Sequence, residues 1–108
     1  MIKAQFFKVD DNYCGFSISG HAGYAERGHD IVCASVSSAV QMAANTVTEI
    51  IGADAAVKNV NGTISLKLDC NSGEKTESAM SVIAGLRLHL LLLSKQYKGT
   101  ISVYDTEV

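Results

Sequence analysis

The chain has 108 residues, 47% of them hydrophobic, and a formal net charge of -2 with no block of Lys or Arg. That length is expected to make one domain, residues 1–108, able to bury a core without staples. The mixed, slightly acidic charge argues against a direct nucleic-acid ligand, whose phosphates call for clustered positive charge.

Met1 to Val9 alternates in character rather than placing a basic end before an apolar run, so no secretory signal is expected. The longest wholly apolar run, Leu90 to Leu93, is far short of a membrane span. Cys14, Cys33 and Cys70 are odd in number and show no paired spacing, which fits a reducing compartment better than a disulfide framework. The expected address is the cytoplasm, with no membrane partner.

In chain order, residues 2–9 (IKAQFFKV) read as a strand, 10–12 as a turn and 13–19 (YCGFSIS) as a second strand. Residues 20–30, with three glycines and two His among charged side chains, read as a long surface loop. From 31 to 52 the spacing of Val32, Val36, Val40, Ala43 and Val47 predicts a helix, with Asp30 as its N-cap and Gly52 as its stop. Residues 57–70 predict a second hairpin around Asn61-Gly62. A second helix is expected over 74–97 and a last strand over 100–104. The fold class is then α+β, a mostly antiparallel sheet with two helices packed on it, in the order β-β-α-β-β-α-β. Leu88 and Leu90 to Leu93 point nearly all around the second helix, which calls either for a crowded core or for a homodimer interface.

The stretch from Gly20 to Ser38, GHAGYAERGHDIVCASVSS, carries the chemistry. With Asp30 as N-cap, Cys33 falls in the first turn of a helix, where free N–H groups and the dipole favour a thiolate. His21, just after the preceding strand, is placed to take the proton. The plainer reading is a small buried Cys and an ordinary loop His. Gly20 and Gly23 around His21 suit a backbone that bends sharply or admits a substrate chain. Small side chains at Ala34, Ser35, Ser37 and Ser38 leave room around the sulfur.

The residues Gly20-His21-Ala22, then Gly28, then Asp30-Ile31-Val32-Cys33-Ala34 with Ser37 following, resemble the signature of the Prp (YsxB-like) family of ribosomal-processing cysteine proteases. The resemblance covers essentially the whole chain, and His29 stands where the family more often has Lys. It implies a cysteine endopeptidase, a hydrolase, that removes the N-terminal extension of a large-subunit ribosomal protein during ribosome assembly. It further implies cleavage after an aromatic residue, a homodimer, His21 as base and Cys33 as nucleophile. No cofactor is expected.

Around that pair, Asp30 is a candidate to orient the imidazole as well as to cap the helix. Gly20, Ala22, Gly23, Tyr24 and Gly28 are candidates for a substrate loop that closes as a lid, with Tyr24 as its aromatic wall. Ser37 either lines the site or, the favoured reading, packs the helix. A zinc site is disfavoured because His29 and Cys33 lack further paired ligands. Cys14 and Cys70 are expected to face the core as small hydrophobes, and His89 to be a core or interface residue. The rival reading is a non-catalytic dimeric interaction module that binds a ribosomal protein or assembly factor.

Overall fold

The computed structural model describes residues 1–20, 27–70 and 73–108, with the backbone alone over 27–30. The alternating N-terminal stretch forms β1 (Ile2–Val9) and, after a turn at Asp10 and Asp11, β2 (Asn12–Ser19). These strands pair antiparallel with Phe6 opposite Phe16. The two rings lie 6.2 Å apart, tilted by 50°, and neither is exposed to solvent.

The chain continues through α1 (Arg27–Asn45), β3 (Ala55–Val60), β4 (Thr63–Leu68), α2 (Glu74–Gln96) and β5 (Ile101–Glu107). This is the α+β order read from the sequence. The sheet order is β3-β4-β2-β1-β5, antiparallel throughout except where β5 runs parallel to β1. The β3–β4 turn has positive φ at both central residues, 52° at Asn61 and 79° at Gly62. That is the hairpin geometry for which Asn-Gly is suited.

One face of the sheet supplies Ile2, Ala4, Phe6, Phe16, Ile18, Leu66 and Leu68 to the core. Onto it α1 lays Val32, Val36, Val40 and Ala43, and α2 lays Ala79, Ile83, Leu86 and Leu90. Each fully buried aliphatic side chain contributes roughly 1.5–3 kcal/mol, so these two stripes hold the helices to the sheet. The helical stretches Ile31–Ile51 and Glu74–Gln96 are apolar enough, by length and composition alone, to cross a bilayer. Here each spends its most apolar stripe on the sheet.

Several sequence expectations are corrected. The first helix begins at Arg27, so Asp30 lies inside it and is not its N-cap, and Gly28 is helical rather than part of a loop. Gly28 costs a helix only about 1 kcal/mol relative to Ala, too little to stop it. At its other end the helix widens into a π-helical turn, Thr46–Ile51, closed by Gly52 at φ 73°. The Thr46 and Thr48 hydroxyls donate to the carbonyls of Met42 and Ala44 at 2.7 and 3.0 Å, and this side-chain competition loosens the regular ladder. β5 runs to Glu107 because its parallel ladder continues as far as Lys8. Cys70 is exposed beyond the end of β4, and His89 is exposed on α2, so neither faces the core. The leucine run splits. Leu90 is buried and Leu91 and Leu93 are half-buried, while Leu88 and Leu92 remain 55% and 54% exposed.

A charged clamp ties α2 to the sheet. Arg87 grips Asp105 of β5 with Nε at 2.7 Å and Nη2 at 3.1 Å, and the Tyr13 hydroxyl donates to the same carboxylate at 3.1 Å. Lys8 and Arg87 both lie over the Tyr13 ring, at 5.4 and 5.3 Å from its centroid. Partial burial works against the Asp105 charge, but the hydrogen bonds from Arg87 and Tyr13 outweigh it and hold the carboxyl below its ordinary value. A carboxylate depressed on folding stabilises above its unfolded pKa, and that contribution is lost as pH falls through the folded pKa. Asp105→Ala should therefore cost about 1 kcal/mol at pH 7. In urea melts the gap between variant and parent should close below the ordinary carboxylate range. A gap unchanged at acid pH would contradict the clamp.

Candidate active site

Gly20 ends β2 at φ 89°, in the left-handed region, and the space beside it is closed. A Cβ there would lie 2.6 Å from the Met1 carbonyl oxygen and 3.6 Å from Ile2 Cα. The contact follows from the register, in which Lys3 pairs with Ser19 and the strand ends come together. Sequence reading gave Gly20 a bending role. Its steric role was hidden, because the crowding atom belongs to a residue remote in the chain.

The chain thus leaves β2 at a defined point, with His21 the next residue. His21, Ala22, Gly23 and Tyr24 lie outside the described residues, as does most of the lid proposed for that loop. The backbone of Gly28 and Asp30 lies in α1.

Cys33 sits in the second turn of α1, one turn further in than a cap at Asp30 would put it. The thiol is half-buried and packs against the core. Its neighbours set that position: Val32 is buried in the core stripe and Ala34 is exposed, so Cys33 lies on the border between them. A border thiol is anchored by packing on one side and partly exposed on the other. Ser37, one turn on, is exposed and packs no core, which corrects its favoured reading. Ser35 is turned to its own helix, donating to the Ile31 carbonyl at 2.9 Å.

The other two cysteines are placed differently. Cys14 is buried in β2, and burial first, then its contact with Cys70, pushes its thiol up to about 11. A thiol so held is protonated at neutral pH and a poor nucleophile. Cys70 is exposed and off the helices. Among the described residues no three His, Cys, Asp or Glu side chains gather as a metal site would require.

The fold is α+β, with a half-buried thiol on its first long helix, after a strand that ends at a sterically closed glycine. The family model for Cysteine protease Prp matches residues 1–102, and the chain belongs to that family. It is 28% identical over 97 residues to the Ribosomal processing cysteine protease Prp of Bacillus subtilis (strain 168), covering 87% of each chain. Among solved structures, a protein from Streptococcus mutans superposes with a TM-score of 0.85 at 21% identity, covering 100% of this chain and 96% of that one. The ribosomal processing protease Prp of S. aureus, in complex with a covalently linked product peptide, superposes at 0.83 and 18% identity, over 98% and 100% of the two chains. The same protease with a substrate peptide gives 0.82 and 19%, with the same coverage. At these identities the solved structures show the shared fold. The family match makes the chain a cysteine protease and overturns the reading of a non-catalytic interaction module.

Gly20→Ala places a side chain against Met1 and forces a left-handed backbone on Ala. The strand end must move or the fold must loosen, at a cost of about 2 kcal/mol or more. Thermal melting should show that loss, and peptidase turnover should fall with it. A variant as stable and active as the parent would show that the Met1 contact does not fix this strand end.

Proposed function

We propose that the chain is a cytoplasmic cysteine endopeptidase that removes the N-terminal extension of a large-subunit ribosomal protein during ribosome assembly, with Cys33 as nucleophile and His21 as base. The observation that carries it is the border position of Cys33 on α1, within the region matched by the family. The names of the relatives from B. subtilis and S. aureus, and the latter's covalently linked product peptide, support ribosomal processing through a covalent intermediate.

In this reading His21 takes the Cys33 proton and the thiolate attacks the scissile carbonyl. The tetrahedral oxyanion collapses to a thioester as His21 protonates the leaving amine. Water, activated by the same imidazole, then releases the acid product and restores the thiol. The N–H groups of the first turn of α1, which have no partners within the helix, are natural oxyanion donors. Asp30, freed from capping by the early start of α1, is a positioning residue for the imidazole.

The test is incubation of the purified, reduced protein with a synthetic peptide spanning that extension, followed by mass spectrometry. Cleavage at one bond is expected from the parent and none from Cys33→Ala. His21→Ala should lose at least about a hundredfold in turnover. Asp30→Asn should lower kcat/KM more than about tenfold without moving the melting temperature. Near-normal turnover by His21→Ala would remove it as the base, and an inert parent would defeat the assignment of substrate.

A homodimer belongs to the same proposal, supported by Leu88 and Leu92, which α2 leaves uncovered beside the exposed His89. Sedimentation of the parent should give a dimer, and Leu92→Glu should give a folded monomer. A parent that sediments as a monomer would refute this part.

A further inference from the structure

Cys14 and Cys70 are far apart in the chain and adjacent in the fold. The β2–β4 ladder ends at Gly15 and Lys67, and Cys14 and Cys70 lie just beyond that end, Cys14 at the bulge where β2 shifts register against β1. The backbone just before Cys70 is anchored by the Asp69 N–H, which donates to the Asp54 carbonyl at 2.9 Å. Each thiol turns back to the carbonyl two residues before it, Cys14 to Asn12 and Cys70 to Leu68, both at 3.7 Å. The two thiols are close enough for Cys70 to help raise the Cys14 thiol, and both line one open groove at this end of the sheet. The β2–β4 pairing reaches no further than Gly15 and Lys67, so the backbone at Cys70 is free of that ladder and can give the small approach a disulfide needs.

We propose that Cys14 and Cys70 form a redox-responsive thiol pair, which a low-molecular-weight disulfide such as oxidised glutathione converts into an intramolecular disulfide. The exposed Cys70 meets the oxidant first. Its thiolate attacks one glutathione sulfur, the S–S bond of the oxidant breaks, and one glutathione thiolate leaves. Cys14 then gives its proton to solvent and attacks the Cys70 sulfur of the mixed disulfide, expelling the second glutathione. Two protein thiols are oxidised and one oxidised glutathione is reduced to two glutathione thiols. The raised affinity of Cys14 for its proton makes the second step the slow one. The product staples β2 to the segment beyond β4 that leads into α2.

The pair is independent of catalysis by Cys33, and the chain allows the three thiols to be told apart. Trypsin, cutting after Lys8, Arg27, Lys58, Lys67 and Lys75, places Cys14, Cys33 and Cys70 on separate peptides, 9–27, 28–58 and 68–75. The purified protein is incubated with excess oxidised glutathione, alkylated and digested. The expected result is peptide 9–27 joined to peptide 68–75, with the protein lighter by two hydrogens at this pair. The melting temperature should rise by several degrees, on the order of 5 °C or more, and fall back on reduction. Cys70→Ser, an exposed and conservative change, should fold normally and lose both the link and the shift. Persistent glutathione on Cys70, a link from either residue to peptide 28–58, or unmodified thiols on 9–27 and 68–75 would each overturn the proposal.

Discussion

The pairing of Phe6 with Phe16 at the centre of β1 and β2 is the contact on which the rest of the molecule depends. Both rings are fully buried, and a slip of one residue between the strands would turn one of them out of the core. The sheet grows outward from this pair, β4 and β3 on the β2 side and β5 on the β1 side. The two helices pack over the face that the rings define. The same register brings the end of β2 against Met1, which is why position 20 admits only glycine. A core decision made between two aromatic side chains therefore sets the point from which the chain departs toward α1 and its cysteine.

Much of this was readable in the sequence because it is local. Alternation over IKAQFFKV and YCGFSIS, the Asn61-Gly62 turn and the three-four spacing of Val32, Val36 and Val40 each report a periodicity the backbone imposes. What was not readable depends on partners remote in the chain or on competition within a turn. The extension of β5 to Glu107 needs β1 beside it, and the π-helical turn needs the hydroxyls of Thr46 and Thr48 to bond backward. Asp30 has the chemistry of an N-cap, which predicts a helix start about a turn later than Arg27.

For the site, the sequence singled out Cys33 among three cysteines, and the structure supplies physical differences among them. Cys14 is locked in β2 with its proton held tightly, Cys70 is exposed beyond a strand, and Cys33 straddles core and solvent on a helix anchored by its valines. The later placement of Cys33 shifts the argument. Its reactivity rests less on the end of the helix, whose influence fades within a turn, and more on the proposed imidazole.

The most direct test of the account is to trap the covalent intermediate. The protein is mixed with a peptide ester carrying the sequence before the scissile bond, quenched in acid within the first turnover and digested with pepsin at low pH. The account predicts a thioester-linked acyl group on the peptide containing Cys33, labile to hydroxylamine and absent from Cys33→Ala. An acyl group found on Cys14 or Cys70, or turnover with no acyl group on any cysteine, would contradict Cys33 as the nucleophile.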